Sequence, residues 1–161
     1  MKLSTRARYA LRMMMAFARH ADDEDVVSLT EVAKEANVSR RYLEQLVIGL
    51  KNSSLIRGKS GKGGGYALAQ PADQIKIRRI IESAIGPINI VECVRQPDVC
   101  LKADDCECRL LYFLINNRII SVLDNLVLAD LVSGDHLKEM VATLDEGFAI
   151  NTVSTGNKLE C

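Results

Sequence analysis

Four cysteines fall within sixteen residues of this chain: Cys93, Cys100, Cys106 and Cys108, separated by six, five and one residues. Thiolate sulfur is the soft donor taken by zinc and by iron–sulfur clusters, so thiols packed this densely point to metal ligation. The spacing lacks the paired C-x-x-C knuckles of an ordinary structural zinc site, which weighs against zinc and leaves it open. Cys106 and Cys108, one residue apart, need not both bind. The competing reading is a set of unligated thiols that respond to oxidants.

A second set of side chains is suited to nucleic acid. Arg40, Arg41, Glu44 and Gln45 fall on the polar face of a helical pattern that starts after Ser39 and includes Tyr42. Guanidinium, carboxylate and amide groups are the ones that reach phosphates and base edges in a major groove. Lys59, Ser60, Lys62, Gly63 and Gly64 form a basic, glycine-rich tip further on, and Arg6 and Arg8 stand near the start of the chain where phosphates could be met. Enzymatic motifs are missing. Gly58-Lys59-Ser60 looks like the end of a phosphate-binding loop, but Ser53 stands where that loop needs its first glycine. Tyr66 likewise replaces the third glycine of a dinucleotide fingerprint. Only His20 and His136 are available as histidine bases, and neither is near a cysteine in sequence.

The elements that must hold these groups can be read in order. Ser4 is placed to cap a helix to about Arg19, with Tyr9, Met13, Ala16 and Phe17 on its apolar side. The acidic run 22–25 reads as a solvated loop. Ser28 with Glu31 three residues on is a capping box. Leu29, Val32, Ala33 and Ala36 then make one buried face, and Asn37 suits a left-handed turn after a short helix. Ser39 caps the next helix, striped by Tyr42, Leu43, Leu46, Val47 and Leu50. Two short helices joined by a tight turn form a helix-turn-helix. Leu55–Arg57 and Tyr66–Leu68 read as strands around the basic tip, which makes that hairpin the wing of a winged helix. A turn at Gln70-Pro71 leads to a short helix striped by Ile77, Ile80, Ile81 and Ile85, ended by Gly86-Pro87. A long helix is expected from about Arg109 to Leu131, roughly 23 residues and about 35 Å. Its stripe of Leu111, Ile115, Ile119, Val122, Leu126 and Ala129 is broad enough for a dimer seam. A further short helix covers Asp135 to Leu144, and the polar tail from Asn151 is expected to be mobile.

The 161 residues suit one domain with an appended element. Lys and Arg equal Asp and Glu over the whole chain, but the balance is uneven. Residues 1–80 carry 15 basic against 8 acidic side chains, and residues 81–161 carry 6 against 13. A basic front half that coincides with the helix-turn-helix and wing favours nucleic acid there. No apolar run reaches the ~18 residues of a membrane span, and the start is not a signal peptide. A cytoplasmic protein without membrane association is expected, in which five cysteines are not structural disulfides.

Met1-Lys2-Leu3-Ser4, Tyr9-Ala10-Leu11, Tyr42-Leu43-Glu44-Gln45, Gly63-Gly64-Gly65-Tyr66 and three cysteines before a long helix together resemble the IscR/NsrR-type regulators, the Rrf-two superfamily. The resemblance covers about residues 1 to 132. It implies a homodimeric bacterial transcription regulator, expected to act as a repressor on a double-stranded DNA operator. It also implies a 2Fe–2S or 4Fe–4S cluster held by Cys93, Cys100 and Cys106, with Ser39 to Gln45 as the recognition helix. Family members complete the cluster with a histidine three residues after the last cysteine or with an acidic residue in the first helix. Arg109 and Arg8 stand at those positions here, so Cys108 is the nearest substitute. Ser60 stands where relatives carry a wing arginine, leaving Lys59 or Lys62 to take its place.

The expected architecture is mainly α with a small β-hairpin wing. It comprises a winged helix-turn-helix over 1–86, a cysteine-rich sensor loop over 87–108, a dimerisation helix over 109–132, and a short helix and tail over 133–161. The alternatives are a cluster-free regulator of the same fold controlled by a protein partner or by thiol oxidation, and a zinc-binding winged-helix protein.

Overall fold

The computed structural model describes residues 4–21 and 26–150. The acidic loop at 22–25 and the tail at 151–161 lie outside the described residues. Helix α1 (Thr5–Arg19) begins where the Ser4 hydroxyl accepts the Ala7 amide at 3.1 Å. That bond satisfies one of the donors a helix start leaves unpaired. Ala7, Ala10, Met13, Met14, Ala16 and Phe17 line its buried face, and α1 is the axis of the core: helices α2 and α4, the hairpin and α7 all pack on it.

Helix α2 (Leu29–Ala36) carries the capping box in full. The Ser28 hydroxyl accepts the Glu31 amide at 3.3 Å, and Glu31 Oε2 accepts the Ser28 amide at 3.0 Å. Asn37 ends the helix at φ 52° and ψ 52°, a left-handed conformation that asparagine tolerates better than most residues. Two residues later Ser39 caps α3 (Arg40–Asn52) by accepting the Tyr42 amide. Leu43, Leu46, Val47 and Leu50 bury one side of α3 and leave Arg40, Arg41, Glu44 and Gln45 in solvent.

Each strand of the hairpin is one residue longer than the pattern suggests, and the first starts at Ile56 instead of Leu55. Strand β1 runs Ile56–Lys59 and β2 runs Gly65–Leu68, antiparallel, with Ile56 opposite Leu68 and Lys59 opposite Gly65. Leu55 is a fully buried anchor just before the strand. Val27, in the connection ahead of α2, pairs with Tyr66: the Val27 amide donates to the Tyr66 carbonyl at 2.9 Å, and the Tyr66 amide donates back at 2.8 Å. Gly65 permits this approach, because a Cβ there would collide with the Val27 backbone.

Helix α4 (Ile77–Ile85) buries Ile77, Ile80 and Ile81 and ends at Gly86, whose φ of 83° suits a glycine. The one-turn helix α5 (Glu92–Arg95) follows, then a 3-10 turn over Pro97–Val99, then the long helix α6 (Glu107–Asn125). The expected continuous helix to Leu131 is a correction: α6 stops at Asn125, and α7 (Leu128–Ser133) starts afresh. At the break the Ile77 amide donates to the Leu126 carbonyl at 3.0 Å, and the Leu128 amide donates to Ile75 at 2.8 Å. Leu126 and Leu128 are buried in the main core. The apolar stripe runs on through this point, but only Leu126 and Leu128 bury it, while Leu111, Ile115 and Val122 of α6 are exposed. Helix α8 spans Asp135–Ile150, longer than the helix to Leu144 expected from the sequence.

Candidate DNA-binding surface and cysteine segment

The outward face of α3 and the hairpin enclose a groove of about 520 Å³, lined among others by Thr30, Arg40, Glu44, Lys51, Lys59 and Ser60. Arg40 is tied to its own surface, with Nε 3.2 Å from Glu44 Oε1 and Nη1 3.4 Å from Thr30 Oγ1. An exposed pair of this kind contributes little stability and can be exchanged for phosphate or base contacts. Arg41 and Gln45 are exposed on the adjacent flank. Tyr42 has a structural duty: its ring meets Tyr9 edge-on, centroids 5.6 Å apart at 77°, and Arg12 lies 5.7 Å from the Tyr9 centroid. The ring thereby joins α1 to the first turn of α3.

At the hairpin tip Lys59 closes β1, and Ser60, Lys62 and Gly63 are exposed while Gly64 is half-buried. Gly61 and Gly63 have φ of 103° and 76°. A side chain at Gly64 would strike the Lys59 and Gly61 carbonyls. Arg6 and Arg8 are exposed in the first two turns of α1, with Arg8 Nη2 3.3 Å from Thr5 Oγ1.

Two contacts seat α3 on α4. Gly49 faces the backbone of Ser83 so closely that a Cβ would overlap the Ser83 carbonyl, and Arg79 Nη2 donates to the Ser53 carbonyl at 3.1 Å, at the end of α3. The neighbouring Arg78 turns the other way. Its Nη1 is 2.9 Å from Asp124 Oδ2 on α6 and its Nε 3.1 Å from Glu82 Oε1. Those two carboxylates, Asp124 foremost, push the Arg78 guanidinium pKa further up.

The cysteines are spread over three segments. Cys93 sits on α5, Cys100 follows the 3-10 turn, Cys106 is the N-cap of α6 and Cys108 lies in its first turn. Cys93 and Cys106 are half-buried; Cys100 and Cys108 are exposed. Among the described residues no three Cys, His, Asp or Glu side chains are placed to hold a metal ion, so the four thiols are not gathered. Side chains of α6 hold the segment instead. Arg109 Nε donates to the Cys93 carbonyl at 2.9 Å and Nη1 to the Ala103 carbonyl at 3.3 Å. Asn116, seven residues on and 5% exposed, accepts the Ile90 amide at 3.2 Å through Oδ1. Seven residues are two turns, so both side chains leave one face of α6. Sequence reasoning noted Arg109 only as a non-ligand and passed over Asn116. The available signal was an asparagine inside an apolar stripe, two turns from an arginine.

The opposite character marks the rest of α6. Leu110, Leu111, Phe113, Leu114, Ile115 and Val122 are exposed, Leu110 to 70%. Among the described residues, no helix is long and apolar enough to cross a membrane.

Comparison with known proteins agrees with this arrangement. The chain is 31% identical over 145 residues to the HTH-type transcriptional regulator IscR of Sodalis glossinidius, covering 90% of this chain and 87% of that one. It is 37% identical over 133 residues to the HTH-type transcriptional regulator CymR of Bacillus subtilis, covering 83% and 91%. The solved structure of that CymR, described as the global cysteine regulator of B. subtilis, superposes with a TM-score of 0.68 at 36% identity, covering 83% of this chain and 97% of that chain. These relatives are transcriptional regulators and not enzymes. Residues 3–134 match the family model Rrf2, described as an iron-dependent transcriptional regulator, and the chain belongs to that family of DNA-binding regulators.

Proposed function

We propose that the chain acts in the cytoplasm as a homodimer on a double-stranded DNA operator, as a repressor, with the segment from Cys93 to Cys108 as its sensor. One observation carries this reading: α6 exposes a broad apolar face and, on another face, grips the cysteine segment through Arg109 and Asn116. A contiguous apolar surface of that kind marks an interface, and a second copy seated there would set the spacing of two recognition helices. The division of labour follows the chain: a reader over 1–86, a sensor over 87–108, and a pairing region from 109 through the broken α6–α7 stretch.

The donor chemistry of the sensor fits an iron–sulfur cluster. Thiolates are soft ligands, and Arg109, a permanent cation already bonded to the segment backbone, offers no lone pair. Cys93, Cys100 and Cys106 would hold the cluster, Cys108 being the fourth candidate, and it would supply a tie that oxygen, nitric oxide or iron scarcity breaks. Ala103 is the one buried residue between 87 and 108, so the segment has almost no apolar core of its own to keep it ordered. Any ligand that orders it biases α6, and through Arg78 and Asp124 also α4. A second reading, control by thiol oxidation, is favoured by the exposure of Cys100 and Cys108.

Anaerobic purification followed by absorption spectroscopy, with iron, sulfide and zinc assays, decides between them. A brown protein whose colour is lost on serine substitution at Cys93, Cys100 or Cys106 supports the cluster. Stoichiometric zinc without iron uptake overturns it, as does a triple-serine variant that keeps chromophore and effector-dependent DNA binding. Colourless protein whose DNA affinity changes with peroxide establishes the thiol reading.

A further inference from the structure

Ile48 does not fit the surface it occupies. It is 63% exposed, yet it stands in the middle of the polar face of α3. At about 100° per residue, Gln45 and Arg41 lie one and two turns before it on one flank, while Glu44 and Lys51 bracket it on the other. Among the described residues, the other exposed large apolar side chains are Ile85 on α4 and side chains of the cysteine segment, α6 and α8, so Ile48 is the one on the outward face of α3.

We propose that Ile48 is a specificity-determining residue, which reads the C5-methyl group of a thymine in the major groove of the operator. The argument rests on α3 being the reading helix, as above. Along the major groove, the edges of the four base-pair arrangements present donors and acceptors, and thymine alone adds an apolar group, its methyl. An aliphatic side chain at the centre of a reading face therefore has one complementary partner, and pressing it against the polar edge of a G·C pair strands a donor or acceptor without water. Isoleucine also suits the task by its shape. Branching at Cβ leaves it essentially one χ1 rotamer in a helix, so the contact costs little side-chain entropy and its position is set by the backbone of α3. That backbone is in turn seated on α4 by Gly49, the next residue. Arg41 and Gln45 can hydrogen-bond neighbouring bases, while Lys51 and Lys59, which line the groove, can meet phosphates.

The test uses the full-length protein. Preferred sites are selected from a pool of randomised duplexes, and each thymine of the selected site is then replaced singly by deoxyuridine, which lacks the methyl and keeps the same hydrogen-bonding edge. At one thymine position the replacement should weaken wild-type binding by about threefold to fivefold, the worth of one buried methyl. Ile48→Ala should weaken binding to the unmodified site by at least as much, and should bind the thymine and deoxyuridine duplexes equally. Circular dichroism should show the variant folded, since an exposed helical alanine is well tolerated. If Ile48→Ala loses the same factor as wild type at every deoxyuridine, Ile48 reads no methyl. A pool that yields no preferred sequence would overturn α3 as the reading helix, and this inference with it.

Discussion

Gly49→Ala is a severe change for a single methyl group. The glycine lies in the middle of α3, where alanine is ordinarily favoured by about 1 kcal/mol because it restricts the unfolded chain and covers the backbone. Here the added Cβ would overlap the Ser83 carbonyl oxygen. That obstacle is backbone, in the last turn of α4, and cannot rotate away as a side chain could. The residue four places on is Pro87, which has no N–H to give to that carbonyl, so the usual helical partner is missing there. Overpacking a rigid contact costs about 1–3 kcal/mol. Set against the helix gain, a net loss of up to about 2 kcal/mol is expected. For a chain of this size that lowers Tm by up to about 8 °C. Thermal unfolding followed by circular dichroism measures it, and titration of a selected duplex below Tm should show weaker binding, because α3 must shift against α1 and the hairpin. A variant more stable than wild type, as alanine gives in an unobstructed helix interior, would refute the account of the α3–α4 crossing.

Lys62→Ala should weaken binding to all duplexes alike and reduce the salt slope by about 1, whereas Gln45→Ala should cost about 1–3 kcal/mol on the selected site alone; identical salt-dependence and specificity profiles for the two variants would remove the distinction between tip and recognition helix. Ile119→Asp with Val122→Asp should yield a folded monomer by analytical ultracentrifugation, and a surviving dimer would place the seam elsewhere. Arg19, 2.8 Å away, and His20, 3.1 Å away, hold the Glu35 carboxyl below the usual carboxylate range. Its contribution is therefore present above the ordinary carboxylate pKa of about 4.3 and lost as pH falls through the lower folded value. Glu35→Gln should flatten the acid limb of the stability curve, and an unchanged limb would show that the pair stabilises nothing.

Local chemistry was legible in the sequence wherever a few neighbouring residues decide the outcome. The Ser28–Glu31 box, the left-handed Asn37 and the Ser39 cap define the helix-turn-helix within a dozen residues, and each closes a hydrogen bond to a near neighbour. The family resemblance drew on the same stretch, and the matched family model covers it. What escaped depends on partners far away in the chain. The break after Asn125 arises because Ile75 and Ile77, some fifty residues earlier, take up the Leu126 and Leu128 backbone groups, and periodicity carries no trace of that exchange. Gly49 carries no sign in the sequence of the Ser83 backbone that lies against it. Asn116 went unread in its apolar surroundings, and is the acceptor that fastens Ile90.

The pairing of Val27 with Tyr66 has a consequence for how this surface can evolve. Because the connection ahead of α2 is stitched to β2 by two reciprocal hydrogen bonds, the hairpin is braced against the scaffold at its base and free only at its tip. Insertions or deletions between Ser60 and Gly64 alter reach and charge while the braced register from Ile56 to Leu68 stays as it is. One residue added between Gly65 and Leu68 does the reverse: every later side chain changes face, and Val27 loses its partner. A change of length is accordingly tolerated at the five-residue tip, where it leaves the strand pairing and the seat of α3 as they are.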